Sequence, residues 1–267
     1  MIYDIRTEQA AAYTLNRLTG ISDSLWRQNA YRERDFECID YYVDAMINDY
    51  GTKQLPQSYM DMEYIYFHVT TSGNECRSIQ KYGILDLKNA YECRESELRM
   101  FLDENDVFID LDRAVLTYQG MKYDIKNGNP PWNHESIAYK SWSIGRKFYF
   151  DYTTCGFLSA WKNAPYGGQV HRRPEILFDI DELLGTNLSY QWECTHSPYE
   201  IVAKVSGRDI CYPGYDEEPE KEKLMSYIVK AYNTAMYGTT EEILLMRNGI
   251  QISPDAIIQI NPLTIWS

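Results

Sequence analysis

The chain lacks any run of about 18 uninterrupted apolar residues, the length a helix needs to cross a bilayer, so no membrane partner is expected. Metal chemistry is poorly provided for. The six cysteines (Cys38, Cys76, Cys93, Cys155, Cys194 and Cys211) are widely spaced, and only Cys194 lies close to a histidine, His196. A zinc site draws about four ligands from spaced pairs, so no metal site is expected and the cysteines are read as free thiols. Neither a Gly-x-Gly-x-x-Gly nor a Walker sequence occurs, which excludes a dinucleotide held in the Rossmann manner. His171 and His196 have no Ser or Cys at a recognisable spacing, so no hydrolase triad is read. The start, Met1 to Gln9, carries charge early and does not have the basic-then-apolar layout of a leader, so a cytoplasmic protein is expected. Basic residues are also short, at 26 Lys and Arg against 39 Asp and Glu, a net charge of −13. That opposes non-specific attraction to a long phosphate backbone without excluding a local basic groove.

What is present suits a substantial core: 267 residues, 44% of them hydrophobic, enough for one large domain or a domain with an appended lobe. Tyrosine is abundant, with 24 residues. A tyrosine-rich core explains most of them, and a ring-stacking site is the other use of such flat, polar-tipped faces. The first 50 residues read as helical, with Ala10, Ala11, Ala12, Leu15 and Leu18 at helical spacing, Gly20 as a stop and a second helix over 35–48. Tyr64 to Thr70 is aromatic and β-branched and reads as a strand, followed by a turn at Ser72-Gly73-Asn74 and a short helix to Gly83. Further strands are expected at 107–109, 147–150, 176–180 and 201–205, a loop over 119–135, a helix over 220–236 and two last strands after Glu242 and at 256–260. Without regular βαβ alternation this is an α+β pattern. It divides into an N-terminal helical segment, 1–60, and a domain over 61–267.

Glu242 heads the apolar run Ile243-Leu244-Leu245-Met246. A carboxylate at the mouth of a buried strand is rigid and partly desolvated, which suits stabilisation of positive charge in a transition state. Two other segments stand in order before it: Phe67-His68-Val69-Thr70 and Gly145-Arg146-Lys147-Phe148-Tyr149-Phe150. With the helix and turn Ser78 to Leu85, and with Ser253-Pro254-Asp255-Ala256-Ile257 after the Glu242 strand, this set resembles the His-Tyr-Glu class of ADP-ribosyltransferases, the diphtheria-toxin and poly(ADP-ribose)-polymerase-like branch. The last segment is similar to the ending of the DarT toxins, which modify nucleic acid. The resemblance covers roughly residues 62–262, and residue 69 is Val where many relatives carry Gly.

The resemblance implies a split β-sandwich core with flanking helices, and NAD as a consumed substrate whose nicotinamide–ribose bond is cleaved. In that reading Glu242 faces the ribose, with Glu241 as its competitor for the role. Tyr149 stacks on the nicotinamide, with Phe157 or Trp161 as the second wall, and His68 holds the adenosine ribose. Val69 and Thr70 line the strand end. The implied protein is a toxin or defence effector that transfers ADP-ribose to a macromolecule, with an antitoxin or inhibitor as a further partner. The DarT-like ending points to RNA or DNA as acceptor and the acidic charge points to protein. An NAD glycohydrolase and a non-catalytic binding module are the other readings. A second polar cluster, Tyr166 to Glu175, holds Arg172 and Arg173, which suit a diphosphate or an acidic target, or else a loop in which one of them pairs with Glu175.

Overall fold

The computed structural model describes residues 1–126, 128–151, 153–162, 164–212 and 217–263. Asn127 of the expected loop and Asp216 of the acidic run lie outside the described residues. In chain order the elements begin with β1 (Ile2–Tyr3), α1 (Glu8–Thr19), α2 (Asp23–Asn29), α3 (Ile39–Tyr50), β2 (Glu63–Ser72), α4 (Arg77–Tyr82), α5 (Leu87–Glu92) and α6 (Glu97–Glu104). There follow β3 (Val107–Asp110), β4 (Val115–Tyr118), β5 (Met121–Asp124), α7 (Ile137–Tyr149), β6 (Cys155–Ser159), α8 (Glu175–Leu184) and α9 (Leu188–Thr195). The chain closes with β7 (Ser197–Ser206), β8 (Ile210–Cys211), α10 (Glu220–Tyr237), β9 (Glu242–Met246) and β10 (Ile257–Pro262). The fold is α+β. Strands pair in the order β10-β7-β2-β6-β9-β8, with β1 parallel to β2, and β3-β4-β5 form a separate antiparallel sheet.

The chain forms two compact units. The first comprises 1–68, 155–164 and 202–247. Its core is aromatic: Tyr3 packs on Tyr64 at 5.0 Å between ring centroids, Tyr64 on Tyr227 at 5.1 Å, and Trp26 and Tyr42 on Tyr232 at 5.1 and 5.6 Å. Buried phenols need partners, and two find them on backbone, Tyr3 donating to the Tyr227 carbonyl and Tyr64 to that of Tyr59. Much of the tyrosine surplus is therefore core. Helix α1 starts on the Thr7 cap and stops at left-handed Gly20, burying Ala11, Leu15 and Leu18 as their spacing implies. Helix α10 likewise buries Leu224, Ile228, Tyr232 and Ala235.

The second unit comprises 69–154, 165–201 and 248–267, around a cluster that includes Tyr91, Leu102, Leu116, Ile144, Phe148, Leu177, Ile180 and Trp192. Two expected strands are helices here. Residues 147–150 fall at the end of α7, where Ser141, Ile144, Gly145 and Phe148 are buried at helical spacing and Ser136 caps the start. Residues 176–180 lie in α8, which buries Ile176, Leu177, Ile180 and Leu183 and ends at left-handed Gly185. In both, a short aromatic or β-branched run suggested strand, and the longer helical period decided the structure. The expected loop at 119–135 contains β5, and β4 and β6 had no counterpart in the sequence reading.

Gly145 lets α7 approach the chain leaving β5. A Cβ there would lie 1.5 Å from the Ile125 carbonyl oxygen. Because the obstacle is backbone, Gly145→Ala is expected to lower stability by about 2 kcal/mol through overpacking, measurable as a lower midpoint in urea.

Candidate functional site

Strand β2 runs ten residues, Glu63 to Ser72, so His68 lies inside it rather than at its end. Phe67 pairs with Phe157 of β6, Phe157 with Ile243 of β9, and Ser159 with Glu242 across a bulge. The strands carrying His68 and Glu242 therefore flank the same strand, β6. The half-buried His68 imidazole places Nδ1 2.8 Å from the Cys155 carbonyl oxygen. A carbonyl only accepts, so Nδ1 carries the proton and Nε2 of the neutral ring keeps its lone pair. Burial pushes the His68 pKa below its ordinary value, and the Cys155 hydrogen bond opposes this only in part. The ring is thus neutral at pH 7, with one nitrogen able to accept a hydrogen bond from a hydroxyl.

Glu242 opens β9, and its carboxylate is ion-paired with Lys230 of α10, the two side chains being 23% and 24% exposed for Lys and Glu respectively. The Thr240 hydroxyl donates to the other oxygen at 3.3 Å, and Ser159 ties the segment down by donating to the Thr240 carbonyl at 2.7 Å. Lys230 is the residue the sequence reading missed, since a cation twelve positions upstream on another element leaves no local signal. The neighbouring Glu241 has a buried Oε2 without a hydrogen-bond partner. An orphaned carboxylate oxygen is costly.

The aromatic walls sit differently from expectation. Tyr149 is not on these strands. It ends α7 in the second unit, where its hydroxyl donates to the Leu111 carbonyl at 2.7 Å, and burial with the nearby Asp110, Asp112 and Asp124 raises its pKa. Phe157 stacks on Phe67 at 5.5 Å. Side chains alternate along a strand, so Phe67 and Phe157 share the face opposite His68. Trp161 follows β6 and is 44% exposed. Val69 is 2% exposed and Thr70 is half-buried, so of these two only Thr70 retains accessible surface.

The charged groups of the second polar cluster are paired with residues outside it. Arg172 and Arg173 both pair with Glu193, at 2.6 and 3.6 Å, while Glu175 takes Lys147 at 2.7 Å. Glu175 thus pairs with Lys147, and both arginines pair with Glu193. Beyond the end of β2, Glu97 accepts from the Ser72 hydroxyl and the Gly73 N–H, each at 2.6 Å, and faces His196 Nε2 at 3.4 Å. His196 lies flat on Trp192 at 3.5 Å.

Among the described residues no group of three or more His, Cys, Asp or Glu is arranged to hold a metal ion, and no helix is long and apolar enough to cross a membrane. Comparisons with protein-family models, curated proteins and solved structures find no match to this chain.

Proposed function

We propose that the protein is an NAD-dependent mono-ADP-ribosyltransferase with an ADP-ribosyltransferase-like core, acting in the cytoplasm as a toxin or defence effector. The observation that carries the reading is the placement of His68 and Glu242 on strands either side of β6. In this reading His68 Nε2 accepts from a ribose hydroxyl and Glu242 offsets the positive charge of the oxocarbenium-like sugar as nicotinamide leaves. The nicotinamide wall is left to Trp161, because Tyr149 and Phe157 are otherwise engaged. An NAD-bound state requires the Glu242 carboxylate to exchange Lys230 for the ribose, or Glu241 to take the role.

One observation favours a non-catalytic binding module instead: the Lys230–Glu242 pair already satisfies the proposed catalytic acid. Incubation with NAD labelled in the adenosine moiety separates the readings. Label on RNA, DNA or protein supports transfer. Free ADP-ribose alone supports a glycohydrolase, and intact NAD supports the binding module. His68→Ala is expected to lower kcat/KM about fivefold, the loss of one hydrogen bond of ~1 kcal/mol, with the rise in KM as the larger part.

A further inference from the structure

The small sheet β3-β4-β5 ends, at β5, on an edge that no further strand covers among the described residues. Strands β4 and β5 are joined by Gln119-Gly120, whose φ angles of 48° and 80° are both left-handed, the two-residue turn that suits the twist of a hairpin. Tyr118 pairs with Met121, Thr117 with Lys122, Leu116 with Tyr123 and Val115 with Asp124. One bond just beyond the strand fixes which way its backbone groups point. The Ile125 N–H donates at 2.9 Å to the carbonyl of Ala114, which precedes β4. Backbone groups alternate along an antiparallel strand. Tyr123 and Met121 therefore bond inward to β4 as Ile125 does, and the N–H and C=O of Lys122 and Asp124 point out of the sheet edge. The Lys122 and Asp124 side chains lie on one face by the same alternation. Both residues are exposed, and neither has an ion-pair partner among the described residues.

Such an edge is a template for another strand. Edges are commonly guarded by lysine, since a copy of the same edge is then repelled. That guard is cancelled here, because the two outward positions of β5 carry opposite charge. Pairing β5 with itself as Lys122 opposite Lys122, or as Asp124 opposite Asp124, sets like charges face to face, which destabilises a sheet. Pairing it as Lys122 opposite Asp124, with Tyr123 opposite Tyr123, makes two opposite-charge pairs. The same register joins outward backbone groups to outward backbone groups, so each Lys122–Asp124 pair exchanges both of its main-chain hydrogen bonds. A foreign strand needs this alternation of charge to do as well, and the chain already carries it. We propose that β5 pairs edge to edge with β5 of a second copy of this chain, antiparallel about a two-fold axis at Tyr123, doubling the three-stranded sheet. Four residues a side bury far less than a permanent dimer does, so the association is weak and concentration-dependent. It is independent of the transferase reading.

The test is sedimentation velocity of the full chain over a roughly hundredfold range of concentration. The mean mass is expected to rise from monomer towards dimer. Asp124→Lys gives an edge with two cations and Lys122→Asp an edge with two anions. Each is expected to raise the dimer Kd roughly tenfold, as two opposite-charge pairs become two like-charge ones. Combining Lys122→Asp with Asp124→Lys keeps one charge of each sign and restores the parent Kd. An equimolar mixture of the two single variants associates as tightly as the parent. Thermal midpoints identify a variant that has lost its fold, for which the neutral Lys122→Gln or Asp124→Asn is substituted, with a smaller rise in Kd. A chain that stays monomeric throughout overturns the proposal and leaves the edge to a strand of another protein. A dimer whose Kd ignores the single reversals overturns it as well, because the copies then meet elsewhere. So does a combined variant that associates no better than either single one.

Discussion

Glu242→Gln is expected to reduce NAD cleavage by about 10²–10³, or ~2.7–4 kcal/mol of transition-state stabilisation, the usual loss on removing one preorganised electrostatic partner. The isosteric amide keeps the hydrogen-bonding shape and discards the charge, so the deficit should appear in kcat more than in KM. The same change removes an ion-pair partner from Lys230, so a structural loss needs its own control. Lys230→Met supplies it. If Glu242 serves only to fasten β9 to α10, both variants lower the thermal midpoint alike and leave turnover per folded molecule untouched. If Glu242 faces the ribose, Lys230→Met frees the carboxylate and turnover is kept or raised while Glu242→Gln lowers it by the factor given above. Glu241→Gln completes the set. Because Glu241 Oε2 has no hydrogen-bond partner among the described residues, loss of activity in this variant with retention in Glu242→Gln would move the catalytic role one residue back.

The parts of this arrangement that were legible in the sequence are those with long or repeated local signals. Helices α1 and α10 announce themselves by apolar spacing over twelve and eighteen residues, and β2 by a dense aromatic and β-branched run. Glu242 heads its strand as the apolar run after it implies. Tyr149 was placed on a strand because Phe148-Tyr149-Phe150 is a strong β-former considered alone. Its structural state follows instead from Ser136, Ser141, Ile144 and Gly145 upstream, a cap and a buried face that only a wider window contains. Strand β6 is five residues with a glycine at its second position, below the length at which periodicity discriminates. The structure nonetheless assigns that glycine a function, since a Cβ on Gly156 would lie 2.5 Å from the Tyr66 ring and 2.6 Å from the Phe67 carbonyl oxygen. Partners contributed by distant elements, such as Lys230 of α10 for Glu242 and Cys155 of β6 for His68, are set by tertiary packing and have no sequence-local trace.

Glu97→Ala is expected to cost about 1–3 kcal/mol, the usual penalty for leaving buried hydrogen-bonding groups without their partner. The carboxylate, with a side chain 12% exposed, gathers the Ser72 hydroxyl, the Gly73 N–H and His196. The Ser72 oxygen it orients accepts in turn from the N–H groups of Asn74 and Cys76. That chain of bonds supports Glu75 and Cys76, two non-glycine residues with φ of 62° and 60°, a conformation that costs energy and persists only where its surroundings enforce it. Removing the acid therefore releases the turn between β2 and α4 as well as the pair. The pH dependence has a definite sign. Burial alone would raise the Glu97 pKa, but the His196, Ser72 and Gly73 interactions together leave it below its ordinary value. A carboxylate depressed in the folded state contributes stability above its unfolded pKa of about 4.3, and loses it as pH falls through the lower folded value. Thermal midpoints of the parent should accordingly decline below about pH 4, with part of that decline absent in Glu97→Gln. Parallel acid profiles for the two proteins would show that Glu97 carries no differential charge, and a Glu97→Ala midpoint equal to the parent's would show that the turn is held by other bonds.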